Sequence, residues 1–435
     1  MNCITGQMAR AELARETRRR VTRRLLPFLF LLYVVAYIDR INVSFAGLEM
    51  TKDLGFSDAV FGFGSGIFFI GYVVLGIPGA LLVERWSARK TIAATMLIWG
   101  IVASATGLIH TALEFYVMRF ILGVAEAAFF PGVITYLGHW HRAEDRAKAV
   151  AIFMTAIPMS QVIAAPVSAA LMKAHWFGLA GWRWLLILEG APALVCGVVT
   201  AFYLTDRPRD ARWLAAAQRD WLIGELAREQ AQKARAPVTA LRALMHRDVL
   251  LLAGAYFTGT VASYGLTLWM PKMIQRFSGL NAVQTAILSM VPALVAVPTM
   301  LLNGWHSDRT GERRWHAACA RLMTAAALFV TIFVTDHASL TLALLTVAYA
   351  FVVAAFPPMW AMPTAFLGST AAAASIGLIN SFGNIGGFVG PYLIGLFSAR
   401  SGAFIGGLWT MVIAALIAAI LLVSIRARVG AIERQ

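Results

Sequence analysis

An acidic and a basic residue, Asp39 and Arg40, stand side by side within the apolar stretch 25–47. A helix of about 20 apolar residues crosses the hydrocarbon core of a bilayer, so this stretch would carry both charges into a membrane. Charged side chains there usually face a cavity or a bundle interior, where they handle ions, protons or substrates. The alternative is a helix end whose side chains reach back to the interface, but Asp39 lies fifteen residues beyond Arg24, too deep for a short side chain. We therefore expect a functional pair.

A second pair of charges, Arg119 and Glu126, lies in another apolar stretch. Seven residues are two helical turns, so both side chains share one face, which we expect to point inward. A carboxyl group near the middle of a membrane is desolvated, which favours its protonated form, so Glu126 could load and release a proton near neutral pH. The alternative is a salt bridge with Arg119 that only locks the bundle, and Glu126 could serve both purposes.

These residue types suit the joint handling of an anion and a proton. Arginine offers a planar fork that binds a carboxylate through two hydrogen bonds, and it keeps its charge. A desolvated aspartate or glutamate, in contrast, can take up a proton. Anion and proton would therefore be coupled naturally at one site.

Three amides are further candidates for polar contacts inside the membrane. Asn380 and Asn384 lie one turn apart on one helix face, in a stretch rich in glycine. Such a helix can bend and expose backbone groups to a cavity, or the glycines can be close helix contacts. Gln161, between two prolines, is the third candidate. We expect these amides to contact substrate.

The composition is that of a multi-spanning membrane protein, because 59% of the 435 residues are hydrophobic and only 14% are charged. No alternating pattern of membrane strands is present, so the spans must be helices and the fold class is all-α. Twelve spans are predicted, at about 25–47, 59–83, 91–110, 113–138, 147–172, 183–205, 248–272, 283–303, 315–335, 338–360, 371–397 and 403–425.

The longest polar stretch, 206–247, divides the spans six and six, the layout of a transporter built from two parallel repeats. Of the 37 Lys and Arg residues, 28 fall on one side of the predicted topology, which places both termini in the cytoplasm. The net charge of +15 therefore reports topology and contact with anionic lipid, not nucleic-acid binding. The expected regions are a cytoplasmic tail 1–24, a six-helix bundle 25–205, a cytoplasmic linker 206–247, a second six-helix bundle 248–425 and a cytoplasmic tail 426–435.

Two loops repeat the same charges 224 residues apart, after the second and the eighth span. A charge run in a loop is usually only a solvated face, but the matched spacing makes that the weaker interpretation here. The acid of each loop can hold the N-terminus of a neighbouring helix or its own basic partner. We expect both loops to take part in conformational gating through Glu84, Arg85, Arg89, Asp308, Arg309 and Arg313.

These loops resemble the loop signature of the major facilitator superfamily, whose fold is two pseudo-symmetric six-helix bundles around a central cavity. The second copy fits the signature well. The first departs from it at Ala80 and Ser87, where the signature usually has glycine.

Several stretches resemble one family within that group, the anion:cation symporters, and its bacterial branch that takes up tartrate, 4-hydroxyphenylacetate, phthalate and sugar acids. The stretches are YIDR at 37–40, GYVVLGIPG at 71–79, RFILGVAEAAFFPG at 119–132, YGLTLWMP at 264–271 and GLINSFGNIGGFVGP at 377–391. The resemblance implies that Arg40 binds the substrate carboxylate, that Asp39 and Glu126 couple the proton, and that Tyr72, Gln161 and Asn380 contact substrate or form gates. Span two departs from the branch at Gly76, where a polar residue is common, and at Gly79 and Ala80.

The predicted function is secondary active transport, the proton-coupled symport of a small organic anion across the bacterial inner membrane. An anion exchanger of the same fold is the alternative. An intramembrane enzyme is disfavoured because the sequence lacks HExxH, GxSxG and a phosphate-cradling glycine loop, and a receptor because the linker holds no sensor domain. We expect a monomer with protons, the anion and membrane lipids as partners, and no cofactor, since Cys3, Cys196 and Cys319 form no metal or disulfide framework.

Overall fold

The computed structural model describes residues 2–233, 245–366 and 369–426, and all regular structure within them is helical. The helices of the first half are α1 Asn2–Asp53, α2 Asp58–Arg85, α3 Ala88–Thr106, α4 Ala112–Glu126, α5 Phe129–Trp140, α6 Ala143–Met154, α7 Ala156–Leu171 and α8 Gly181–Tyr203, followed by the linker helix α9 Ala216–Lys233. The helices of the second half are α10 Arg247–Ser278, α11 Ala282–Leu288, α12 Met290–Thr310, α13 Arg314–Phe333, α14 Ala338–Ala354, α15 Phe356–Phe366, α16 Ser369–Ser401 and α17 Ile405–Val423. Two short 3-10 turns, Trp176–Gly178 and Pro208–Asp210, flank α8.

Eleven of the predicted membrane spans are long and apolar enough to cross a bilayer among the described helices. The exception is the third span, α3, whose first turn carries Arg89 and Lys90. α3 is nevertheless a 19-residue helix that packs along α8 and against α4 within the first half. The two cations at its beginning lower its mean hydropathy, which sets it apart from the other eleven spans. Each of the twelve predicted spans nevertheless corresponds to a helical segment of the fold.

Four spans are interrupted near their middle, a feature that the sequence analysis did not predict. Each interruption precedes a proline by three or four residues. Proline lacks the backbone N–H, and its ring clashes with the carbonyl four residues earlier, so these interruptions are proline kinks. The kinked sites are 127–128 before Pro131, Thr155 before Pro158, Ser289 before Pro292 and Ala355 before Pro358.

The two halves pack against each other most closely at one end of the bundle, here called the Asp58 end. Asp58, at the start of α2, accepts hydrogen bonds from Lys272 Nζ at 3.0 Å and from Ser398 Oγ at 2.6 Å, both in the second half. Close by, a Cβ on Gly62 would lie 2.5 Å from the carbonyl oxygen of Pro391, so only glycine fits there. Among the described residues, the inter-half hydrogen bonds and ring contacts lie at this end or around the central cavity.

The first helix begins far before the expected residue 25, because α1 runs unbroken from residue 2. Its early turns pack against the linker helix α9, where Arg20 donates to Gln218 and Arg10 pairs with Glu225. The Arg24 guanidinium lies over the ring of Tyr203, at 4.9 Å from its centroid. The expected tail and the first part of the linker therefore form a packed layer at the end opposite Asp58, here called the Arg89 end.

The two repeated loops have the same charges but different contacts. In the first, the Ser87 hydroxyl accepts from the Lys90 amide and donates to Asp206, and Asp206 also accepts from the Arg89 amide at 3.0 Å. Ser87 is extended, with φ of −166°, so the serine serves as a helix N-cap where the signature usually has glycine. In the second loop the matching Gly311 has φ of +70°, which favours glycine.

The gating residues are distributed accordingly. Arg313 pairs with Asp308 within the second loop, and Arg309 lies over the Trp305 ring at 5.5 Å. Arg89 pairs instead with Asp206 of the linker, with 3.7 Å between Nε and Oδ2. The side chains of Glu84 and Arg85 lie outside the described residues. A gating role for both loops stays a prediction.

Candidate functional site

A central cavity lies between the two halves, and it gathers side chains from both. Arg40 is the one formally charged residue among the described residues that line it. All five residues expected to bind substrate, Arg40, Tyr72, Gln161, Asn380 and Asn384, line this cavity together. That they bind substrate stays a prediction, but the structure brings them to one place although they come from four separate helices.

The Arg40 guanidinium forms an ion pair with Glu126, with 2.7 Å between Nη2 and Oε2. Glu126 is the last residue of α4, at the kink before Pro131, and its side chain is only 1% exposed. Arg40 Nε and Glu126 Oε1 have no hydrogen-bond partner among the described residues. The rings of Tyr37 and Tyr72 lie 5.0 and 5.2 Å from the guanidinium carbon. The pair is thus held in an aromatic setting with bonding capacity left on both partners.

The hydrogen-bonded ion pair of Glu126 is thus with Arg40, whereas the sequence analysis had named Arg119 as its possible salt-bridge partner. Arg119 shares the face of α4 but packs over the Phe68 ring, at 5.1 Å from its centroid. Its Nε and Nη2 have no hydrogen-bond partner among the described residues. Glu126 is the last residue of α4, where its carboxylate meets Arg40, whereas the Arg119 side chain lies against Phe68. Arg119 remains within electrostatic range of both Glu126 and Asp39.

Asp39 points away from the cavity, toward α3. It is fully buried, and its Oδ2 accepts a hydrogen bond from Trp99 Nε1 at 2.8 Å, while Oδ1 has no partner among the described residues. Asp39 and Arg40 are adjacent in sequence, so their side chains leave α1 about 100° apart and reach different neighbours. A third buried acid, Glu189, accepts from Ser168 at 2.6 Å and lies outside the cavity lining.

Asp39, Arg40, Arg119 and Glu126 together form a buried cluster, here called the N-half charge cluster. Arg119 and Glu126 are each within electrostatic range of the other three members, and each of the four is at most 8% exposed. Glu189 lies within electrostatic range of Asp39. The formal charge of the cluster is zero when all four are ionised. An anion added beside Arg40 therefore leaves a net negative charge in a low-dielectric interior unless a proton accompanies it.

The predicted amides contribute in different ways. Gln161 Oε1 accepts from the Tyr349 hydroxyl, a bond that joins the two halves across the cavity. Asn384 Nδ2 donates to the side-chain oxygen of Asn380 at 3.2 Å and to its backbone oxygen at 2.8 Å. The Tyr37 and Tyr264 hydroxyls lie 3.3 Å apart and also join the halves. These residues line the same cavity as Arg40, and their polar groups are here called the polar ring.

The glycines of the helix α16 are close helix contacts, the second of the two interpretations left open. A Cβ on Gly386 would lie 2.2 Å from the backbone oxygen of Phe257, and one on Gly390 would lie 2.3 Å from that of Val261. α16 runs without interruption from Ser369 to Ser401. Close approach to α10 rather than an exposed backbone explains these residues.

Sequence reasoning missed most of the aromatic lining. Six tyrosines line the cavity: Tyr33, Tyr37, Tyr72, Tyr256, Tyr264 and Tyr349. Trp360 lines the cavity as well. Tyrosine is common at membrane interfaces as well as in cavity walls. Its presence in a span therefore does not show by itself whether the ring faces the interface or the cavity. The position of Tyr37 two residues before Asp39 was the available signal for that residue.

Comparisons with known proteins agree on one family. A family model described as "Major Facilitator Superfamily" matches residues 29–391. The chain is 46% identical to a protein of Agrobacterium vitis named "Putative tartrate transporter", over 91% of either chain, which confirms the resemblance to the tartrate branch. It is 37% identical to the "Quinolone resistance transporter" of Acinetobacter baumannii, over 96% of either chain. The fold is similar to the crystal structure of a bacterial homologue of the lysosomal transporter Spinster, in an inward-facing, unoccupied conformation, with a TM-score of 0.76, 20% identity and coverage of 94% of this chain and 96% of that one.

Proposed function

The chain belongs to the Major Facilitator Superfamily, and its relatives are transporters rather than enzymes, so we propose that it is a proton-coupled symporter of a small organic carboxylate. The observation that carries this proposal is the Arg40–Glu126 ion pair at the wall of the central cavity. A carboxylate substrate would occupy the position on Arg40 that Glu126 holds when no substrate is bound.

The exchange of partners on Arg40 supplies a physical basis for coupling. Removing one partner of a buried ion pair costs about 3–5 kcal/mol, because the other charge stays behind unpaired. Protonation of Glu126 takes away its negative charge and frees Arg40 for the substrate carboxylate. The substrate then restores a pair, and the N-half charge cluster returns to neutrality with one anion and one proton bound. Deprotonation of Glu126 reverses the exchange and expels the anion.

The polar ring supports a carboxylate that also carries hydroxyl groups. The tyrosine hydroxyls and the amides of Gln161 and Asn380 can donate to and accept from such groups, whereas the aromatic faces shield the charge from water. Relatives named for tartrate transport are consistent with this class of substrate.

Alternating access would proceed by rocking of the two halves about the cavity. With both termini in the cytoplasm of a bacterial inner membrane, the tightly packed Asp58 end is periplasmic and the conformation is inward-facing. Asp58, Lys272 and Ser398 would form the periplasmic gate. The protein is proposed to act as a monomer surrounded by lipid.

Uptake into proteoliposomes tests the proposal against anion exchange. Purified protein is reconstituted, and uptake of radiolabelled tartrate is followed with and without an inward proton gradient and with or without unlabelled tartrate inside. A symporter accumulates tartrate in empty vesicles when the gradient is imposed. Uptake that requires internal anion and ignores the gradient would identify an exchanger.

A further inference from the structure

A second buried arginine, Arg321, lies beside the same cavity in the second half. Its side chain is fully buried within α13. Nη1 donates to Ser263 Oγ at 3.2 Å and weakly to the Gly259 carbonyl at 3.4 Å, while Nε and Nη2 have no hydrogen-bond partner among the described residues. No ion pair within 4.0 Å joins it to a described acid. Buried cations are normally paired, because an isolated one is costly to desolvate.

The surroundings of Arg321 leave room for the guanidinium and place it one side-chain layer behind the cavity wall. A Cβ on Gly259 would lie 2.8 Å from Arg321 Nη2, so the glycine makes the space that the guanidinium occupies. Ser263, which accepts from Arg321, lines the cavity. Phe356, whose ring centroid lies 5.3 Å from the guanidinium carbon, lines it too. Tyr256 is within electrostatic range of both Arg40 and Arg321.

We propose that Arg321 supplies the positive charge of a second anion subsite, so that the substrate is a dicarboxylate. Arg40 holds one carboxylate from the first half. The other lies against the Ser263 wall in the second half, where Arg321 stabilises it by its field. The Ser263 hydroxyl, which accepts from Arg321 and donates to the Gly259 carbonyl at 2.7 Å, would turn from that carbonyl to donate to the carboxylate. The inference rests on the proposed function, since it takes Arg40 as the anchor of the first carboxylate.

Formal charges agree with this assignment. The N-half charge cluster is neutral when it is ionised. A dianion that enters with one proton adds a net charge of about −1 to the cavity region, which the otherwise uncompensated Arg321 balances. A dicarboxylate would contact both halves at once. The separation of its two carboxylates must therefore match the distance between Arg40 and the Ser263 wall.

Matched pairs of a dicarboxylate and a monocarboxylate test this subsite. Threonate has the structure of tartrate of corresponding stereochemistry, except that a hydroxymethyl group replaces one carboxylate. Glucarate and gluconate form a second such pair. Thermal shifts over a concentration series give the affinity of each ligand for the full chain in detergent. The wild type is expected to bind the dicarboxylate of at least one pair about tenfold to hundredfold more tightly, the range that one charge-assisted hydrogen bond supports.

Arg321→Gln is expected to abolish that preference while it leaves the affinity for the monocarboxylate unchanged. Arg321→Lys keeps the charge and should retain part of the preference. Thr324→Val is the matched structural control, because it removes a buried hydrogen bond between α13 and α14 one turn away, without touching the cavity. It should lower the melting temperature and leave the ligand preference intact. If Arg321→Gln does not fold, Ser263→Ala carries the test, with an expected severalfold loss of preference.

The outcomes separate the inference from the proposed function. Equal affinities for both members of each pair in the wild type, or an equal loss for both in Arg321→Gln, would overturn the second subsite and leave Arg40 as a carboxylate anchor. An unchanged preference for the dicarboxylate in both Arg321→Lys and Ser263→Ala would also overturn the second subsite. A wild type that binds no carboxylate in either pair contradicts the proposed function itself.

Discussion

Arg40 Nη2 lies 2.7 Å from Glu126 Oε2, although the two residues are 86 positions apart and belong to different helices. The pair is buried, and the guanidinium also borders the central cavity. A fixed cation whose partner is a group that can be protonated gives one site that responds both to an anion and to a proton.

Arg40→Lys keeps the positive charge but removes the planar fork that can bind a carboxylate through two hydrogen bonds. The affinity for tartrate is expected to fall at least tenfold, as thermal shift or equilibrium binding would measure. Arg400→Lys, the same change at an exposed position, is the control and should bind normally. Unchanged affinity in Arg40→Lys would remove this residue from the binding site.

Asp39→Asn removes a negative charge near Arg40 while it keeps an oxygen that can accept from Trp99 Nε1. We expect tighter binding of the anion and slower turnover, because the cluster gains net positive charge and releases the substrate less readily. Binding and initial uptake rates measured on the same preparation check both effects.

Trp99→Phe is the companion variant, since it removes the hydrogen bond and leaves the Asp39 charge in place. It should cost about 1–3 kcal/mol of stability, because a buried acceptor loses its partner, with little change in affinity for the anion. Turnover at the wild-type rate in Asp39→Asn would show that Asp39 only positions α1.

The contact of Asp58 with Lys272 and Ser398 is expected to hold the halves together at one end. Lys272→Met should loosen this closure and raise the labelling of a cysteine at Thr267, a cavity residue, by a membrane-impermeant reagent added from the Asp58 side. The charge swap of Asp58→Lys with Lys272→Asp should restore protection. Labelling that stays at the wild-type level in Lys272→Met would show that other contacts close this end.

Topology is predicted to place α9 in the cytoplasm and the turn at Phe177 in the periplasm. In a background without Cys3, Cys196 and Cys319, Phe177→Cys should react with an impermeant thiol reagent on intact cells, because that side chain is 92% exposed. Ala217→Cys in α9 should react only after the cells are opened. The reverse pattern would invert the topology and make the Asp58 end cytoplasmic.

The sequence predicted the helical spans and the cavity residues because both follow from composition along one helix. Runs of apolar residues define the spans, and a lone polar side chain within a span must face inward, as Arg40, Gln161 and Asn384 do. Arg321, a lone cation in the ninth predicted span, gives an equally clear signal that the sequence analysis did not use.

Pairings between helices could not be predicted in the same way. The partner of Glu126 depends on where helix packing places Arg40 of α1, and on the kink before Pro131 that ends α4 at this carboxylate. Spacing within one helix could suggest only Arg119, whereas the hydrogen-bonded partner comes from another helix. The hydrogen bonds from Trp99 to Asp39 and from Tyr349 to Gln161 could not be predicted for the same reason. Both depend on how helices pack and not on the sequence pattern within one helix.

Glu126 is proposed to carry the coupled proton by exchanging with substrate on Arg40. Glu126→Gln tests this role, because the amide imitates a permanently protonated carboxyl group. Glu189→Gln is the matched control, since Glu189 is also a buried acid but lies outside the cavity and accepts from Ser168. The control should lose neither binding nor accumulation.

The decisive measurement compares two modes of tartrate uptake by Glu126→Gln in the same proteoliposomes, at several pH values. Counterflow exchange between internal and external tartrate needs no proton, and we expect it to persist at a rate that is independent of pH. Accumulation driven by an inward proton gradient requires a group that gains and loses the proton, and we expect it to be lost. Concentrative uptake at the wild-type level in Glu126→Gln would remove Glu126 from the coupling and leave Asp39 as the proton carrier.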